Sequence, residues 1–210
     1  MSPRPAQRRS PSSVLVFAED LHDSRSIAHL LVAANAALDR RVVAVPRPTS
    51  LTRSAGPAKV RDWVDELRRT VRGYQAAGTP VAAVLVHRDA DGPDPDGIEE
   101  EKLGAQIAPV GALPVVPVQM TEAWWFLFPD AVESIRPQTW RGKLPRRARD
   151  VETISDPKAE LTRITGRGTR HACTEADSIA IAEAIRSMQP AQVGVSSSYD
   201  RFIALARRIH

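Results

Sequence analysis

The sequence predicts an α/β protein: a parallel sheet flanked by helices, followed by a mainly helical C-terminal extension. Three observations point there. Short apolar runs of β-forming residues alternate with helix-period stripes from residue 13 to about 120. From Glu122 onward the strand signals stop and helix caps recur. Acidic residues cluster directly after two of the predicted strands.

The elements follow in order. Residues 1–12 are rich in Arg, Pro and Ser and read as a flexible basic tail. Ser13 to Phe17 reads as a buried strand. Its apolar run, Val14 to Phe17, is too short for a signal-peptide core or a membrane span. Asp23 or Ser24 caps a helix carrying Ile27, Leu30, Leu31, Ala34 and Leu38 on one face. Val42 to Val45 is a second strand, stopped by Pro46 and Pro48. Pro57 suits a first helical position, and Val60, Trp63, Val64, Leu67, Val71 and Tyr74 form an amphipathic stripe ended by Gly78 and Pro80. Val81 to Val86 is a third strand. A helix is expected near Ile98 to Ile107. Val115 to Met120 is a fourth strand, which Pro117 confines to a sheet edge or an irregular stretch.

The second part begins with a compact aromatic segment, Glu122 to Phe128. Gly142 to Asp150 is a basic linker. Asp156 and Pro157 open a helix through Ile164, Thr174 with Asp177 caps a helix to Met188, and Ser197 with Asp200 caps a last helix carrying Phe202, Leu205 and Ile209. The organisation expected is a tail at 1–12, an α/β core at 13–128 and a helical extension at 129–210.

Composition excludes some classes. The hydrophobic content is 42%, enough for a packed core rather than a disordered chain. The single cysteine, Cys173, forms no internal disulfide, which fits a reducing cytoplasm. A net charge of +4 allows a polyanionic partner. The distribution says more. Asp89 to Glu101 holds seven carboxylates and no Lys or Arg, whereas Arg136 to Arg149 holds six Lys/Arg and no acid. Two solvated loops account for such clustering, and so do a metal site and a phosphate-binding stretch.

In open parallel sheets, ligands bind at the carboxyl ends of the strands. Glu19, Asp20 and Asp23 follow the first strand, and Asp89 and Asp91 follow the third. Residues two apart in an extended segment face the same way, so Asp89 and Asp91 are expected to face one ion. Carboxylates at close range repel, and a hard, oxygen-preferring cation such as Mg²⁺ (or Mn²⁺) resolves the conflict. Glu122 either caps the aromatic helix or joins that site. Asp94 and Asp96, interleaved with Pro93, Pro95 and Gly97, read as turn residues, and the loop fails the EF-hand spacing. His22 and His29 lack partners at zinc-ligand spacing. Nothing positions a base around Cys173, Ser196 to Ser198 read as a loop and helix cap, and no phosphate-binding Walker loop exists.

Glu19-Asp20-Leu21-His22-Asp23 after a strand resembles the Toprim signature, with aspartate where that signature has glycine. Asp89-Ala90-Asp91 resembles the Toprim Asp-x-Asp. Glu122-Ala123-Trp124-Trp125 with Pro129-Asp130, and Asp156-Pro157-Lys158 with Ser196-Ser197-Ser198-Tyr199 and Phe202, resemble a Toprim-like family of prokaryotic, defence-associated proteins considered partners of ATPases. The resemblance implies a Toprim core acting on phosphodiester bonds with a divalent metal. Glu19 falls on the proposed general acid or base, Asp89 and Asp91 on metal ligands, and Asp23 on the secondary acid of the first motif. The expected function is a Mg-dependent, nuclease-like protein of a defence system. In it Arg141, Lys143, Arg146, Arg147 and Lys158 would serve DNA or RNA. One alternative is a catalytically silent module docked on an ATPase subunit, with Trp124 and Trp125 in the interface. Another is nucleotidyl transfer, as in primases. No membrane association is expected.

Overall fold

The computed structural model describes residues 12–46, 55–94 and 96–210. Most of the basic tail, Pro48 and Pro95 lie outside the described residues. Four strands, β1 (Ser13–Phe17), β2 (Val42–Ala44), β3 (Val81–His87) and β4 (Leu113–Val115), form one parallel sheet in the order β2-β1-β3-β4. Between them run α1 (Leu21–Ala34), α2 (Pro57–Ala76) and α3 (Ile98–Ile107). The chain is therefore an α/β protein, and its C-terminal region is helical: α4 (Glu122–Trp125), α5 (Pro129–Ile135), α6 (Pro137–Trp140), α7 (Pro157–Gly166), α8 (Ser178–Met188) and α9 (Ser197–Arg207). Among the described residues, no helix is long and apolar enough to cross a membrane.

The two-residue period of the strands sorts the core into two faces. Leu15, Phe17, Val84 and Val86 point to one side, where Trp63, Val64 and Leu67 of α2 and Leu103 and Ile107 of α3 cover them. Val14, Val16 and Leu85 point to the other, against Ile27, Leu30 and Leu31 of α1. The C-terminal helices complete this second layer: α8 packs on α1, and Trp124, Trp125, Trp140, Leu161, Ile181 and Phe202 belong to the same cluster as β1. Trp124 meets Tyr199 edge-on at 5.2 Å and Phe202 at 5.3 Å between ring centres.

Four boundaries differ from the sequence reading, each for a local reason. Helix α1 is capped by Asp20, not by Asp23 or Ser24: Asp20 is extended and its carboxylate accepts from Asp23 N at 2.8 Å. Leu38 lies beyond α1 in a separate 3₁₀ turn, Ala36–Leu38, whose cap is Asn35. Strand β4 ends at Val115, and the stretch beyond it keeps only part of the pairing, since Pro117 has no N–H to give. Of the two outcomes expected of Pro117, an edge or an irregular stretch, it lies in the irregular stretch beyond β4, and β4 itself, Leu113–Val115, is an edge strand. One residue also moves in α9, whose cap is Ser196 rather than Ser197, with Ser196 Oγ accepting from Tyr199 N at 3.1 Å.

Candidate functional site

The carboxyl ends of β1, β3 and β4 open on the same end of the sheet. Three residues after β1, the chain turns at Asp20 into α1, which sets Glu19 at the lip and Asp23 in the first helical turn. After β3 the segment 88–92 stays laced to the extension of β4. Arg88 N donates to Val115 O at 3.1 Å, Ala90 N to Pro117 O at 3.0 Å and Asp91 N to Gln119 O at 2.9 Å. Gln119 N returns a bond to Gly92 O at 3.2 Å. This lacing brings Asp89 against Thr121, one residue before Glu122.

The floor of the crevice is His87, the last residue of β3 and 1% exposed. It follows Leu85 by two positions and so faces the α1 side of the sheet. Its Nε2 lies 2.8 Å from Thr121 Oγ1 and 3.3 Å from Asp89 Oδ1. Among the described residues its Nδ1 has no hydrogen-bond partner, and it lies 4.0 Å from Asp23 Oδ2.

Four titrating groups share one field. The burial of His87 alone would lower its pKa, but Asp23, Asp89 and Glu19 together push it up to about 9, so at neutral pH it is an imidazolium. Glu19 still opens to solvent, yet the protein packed around it, then Asp89, Asp91 and Asp23, push its carboxyl up to about 7 against the pull of His87. Burial raises Glu122 to about 7 as well, helped by Asp89 and Asp23 and opposed by a bond from its own backbone and, more weakly, by Lys158. Burial likewise raises Asp23 to about 6, with His87 pulling it back.

The structure thus brings Glu19, Asp23, Asp89 and Glu122 together, with Asp91 close enough to act on Glu19. Glu122 opens α4 and faces the crevice acids. The strict alternation expected of Asp89 and Asp91 does not hold, because Asp91 adopts a left-handed backbone with φ 52°. Among the described residues, no group of three or more His, Cys, Asp or Glu side chains is placed to hold one ion. The donor set does fit a cation that keeps most of its water. Mg²⁺ takes one or two carboxylates and several waters, and Asp89 offers one carboxylate near two others, Glu19 and Glu122, which burial first and the Asp89 charge second push up to about 7.

The basic stretch is mostly engaged with the protein itself. Arg136 pairs with Asp177 at 2.8 Å, and Lys143 Nζ donates to Thr165 O and Arg167 O at the end of α7 at 2.7 and 2.5 Å. Arg146 bridges Asp130 and Glu133, and Arg149 lies over the Phe126 ring. Arg141 and Arg147 are exposed and have no ion pair among the described residues. Lys158, in the first turn of α7, pairs with Glu175 at 2.7 Å while its charge reaches Glu122.

The residues set aside in the sequence have structural employment. Asp94 accepts from Ile98 N and Glu99 N and so holds the start of α3. The Cys173 thiol is buried and pushed up to about 12, which removes it as a nucleophile at neutral pH. Ser196 and Ser198 are buried against Glu152. The residues that sequence reasoning missed are His87 and Thr121. A signal existed for His87, which closes an apolar strand two residues before Asp89. Thr121 carries no motif.

Comparison of the chain with protein-family models, curated proteins and solved structures finds no match.

Proposed function

We propose that the acidic crevice binds Mg²⁺ or Mn²⁺ and that the chain processes phosphodiester bonds. On this reading it is a Toprim-like, nuclease-type component of a prokaryotic defence system, working in the cytoplasm. The observation that supports this best is the meeting of Glu19, Asp23, Asp89 and Glu122, from three separate chain segments, at the carboxyl end of a parallel sheet. Such crowding of carboxylates is unfavourable, His87 offsets it only in part, and a further cation would relieve it.

In this reading Asp89 and Asp91 hold the metal and Glu122 assists. Glu19, raised to about 7, is suited to exchange a proton near neutral pH, with Asp23 as the second acid behind it. A bound metal would supply charge stabilisation at a phosphoryl oxygen. Lys158 stands at the rim, where a phosphate would compete for it with Glu175. Arg141 and Arg147 give a nucleic-acid backbone, DNA or RNA, a sequence-independent hold.

The test is titration calorimetry with Mg²⁺ and Mn²⁺ on the wild type and on Asp89→Ala/Asp91→Ala, followed by a cleavage screen on DNA and RNA. Saturable binding that the double variant loses supports the reading. No binding by the wild type, even beside an oligonucleotide, removes it.

A second reading has its own observation. Asp89 is already held by Thr121 and His87, and no three ligands converge among the described residues. That suits a catalytically silent module that docks on an ATPase subunit. Trp124 and Trp125 would not make that interface, since both are wholly buried in the chain's own core. Metal-dependent cleavage by the isolated chain would exclude this reading.

A further inference from the structure

Thr121 makes contacts that the proposed chemistry does not use. Both of its polar groups donate to a single oxygen, Asp89 Oδ1: the backbone N–H at 3.0 Å and the hydroxyl at 3.2 Å. The hydroxyl has one proton to give. Given to Asp89, it leaves Thr121 Oγ1 as the acceptor for His87 at 2.8 Å, so His87 Nε2 carries hydrogen. That same nitrogen lies 3.3 Å from Asp89 Oδ1. Two donors and the charged His87 ring are therefore focused on one carboxylate oxygen. Among the described residues, the hydrogen bonds and the ion pair of Asp89 all fall on Oδ1.

The arrangement is rigid. Thr121 is 2% and His87 1% exposed, so water does not compete for these bonds. The backbone on either side of Asp89 is fixed by the bonds from Arg88 N and Ala90 N to the β4 extension. The Asp89 side chain keeps 20% of its surface open. Its second oxygen is the one left to meet something from outside.

We propose that Thr121 and His87 are positioning residues, which fix Asp89 through Oδ1 and leave Oδ2 to face a divalent cation. This rests on the reading of the crevice as a metal site. A carboxylate held in one rotamer loses little freedom when it takes a ligand, and loosening such a support weakens metal binding by about 10- to 100-fold.

The experiment is Mn²⁺ titration calorimetry on the whole chain and on Thr121→Val, Thr121→Ser and Asp89→Ala, with thermal melting to show that each is folded. Asp89→Ala is expected to abolish binding. Thr121→Val, which removes the hydroxyl but keeps the backbone donor, is expected to weaken binding about tenfold or more. Thr121→Ser, which restores the hydroxyl, should bind close to the wild type; a role in packing alone would not give that rescue. If Thr121→Val unfolds early, Thr121→Ala removes the same hydroxyl without placing a methyl against charged groups, and carries the test. Loss of binding in Asp89→Ala with wild-type affinity in the hydroxyl-free variant overturns the positioning role and leaves the metal site standing. A wild type that takes up no Mn²⁺ overturns both.

Discussion

The indole N–H of Trp124 donates to Ser198 Oγ at 3.0 Å, joining the segment after β4 to the first turn of α9 across 74 residues of sequence. Ser198 Oγ also accepts from Val118 N at 3.2 Å and lies 2.7 Å from Glu152 Oε1, to which it donates. Glu152 gathers Ser196 Oγ, Ser197 Oγ, Ser198 N and Ser198 Oγ within 2.8 Å. Burial would raise its carboxyl, but these four donors outweigh burial and hold it below its ordinary value. Glu152→Ala leaves the donors around it unpaired and is expected to cost about 3 kcal/mol, read by urea unfolding. A loss under about 0.5 kcal/mol would show that water replaces the carboxylate freely.

Stability should fall as pH rises through the crevice range. Glu19, Asp23, Glu122 and His87 are all raised in the folded state, to about 7, 6, 7 and 9. The folded protein therefore binds these protons more tightly than the unfolded chain. The stability they contribute is complete below the unfolded values and is lost as pH climbs through the folded ones. Thermal melts at pH 5.5, 7 and 8.5 (approximate settings that bracket these values) should fall in that order. Mg²⁺ should raise the melting temperature most at the alkaline end, where the carboxylates are ionised. Melting temperatures independent of pH would mean that the crevice groups do not share one field.

On the proposed resemblance to the Toprim signature, its glycine would fall on Asp20, and the structure predicts how a glycine there would behave. Asp20 has φ −139° and ψ −179°, an extended conformation open to any residue, so the turn does not require glycine. What Asp20 supplies is the cap on α1. Asp20→Ala should cost about 1 kcal/mol and Asp20→Gly only a few tenths, measured by chemical unfolding. A stabilising Asp20→Gly would instead mean that relief of repulsion on Asp23 outweighs the cap.

The arginines of the basic stretch should separate into two behaviours. Arg141→Ala/Arg147→Ala should leave the melting temperature unchanged and reduce the slope of log affinity against log salt for duplex DNA by about 2. Arg146→Ala should destabilise the protein, because Glu133, 5% exposed, would lose its ionic partner and, among the described residues, keep only the bond from Leu144 N. An unchanged salt slope in the double variant would remove this stretch from any nucleic-acid role.

The sequence carried the layers well because strands and helices here have distinct periods. The apolar runs Val14–Phe17 and Val81–Val86 became adjacent strands, and the Trp63–Val64–Leu67 stripe became the buried side of α2. Asp20 was harder to place, since three acids or serines near one helix start all have capping chemistry and only the backbone angle chooses among them. The site was legible where it depends on strand ends, as with Glu19 and Asp89. It was not legible where it depends on contacts across sequence. Thr121 matters because the bonds between 88–92 and 115–119 place it on Asp89, and no local pattern records that pairing. The basic stretch was unresolved for the same reason: Lys143, Arg146 and Arg149 carry the same charge in sequence, and each meets a different partner in the fold.

The burial of Trp63, Trp124, Trp125 and Trp140, none more than 7% exposed, has an optical consequence. These are all four tryptophans of the chain. Indole emission shifts to longer wavelength when the ring meets water, so the native protein should glow at the short-wavelength end and redden as a whole on unfolding. Its intrinsic fluorescence is therefore a gauge of the fold, against which a crevice ligand is best followed by some other light.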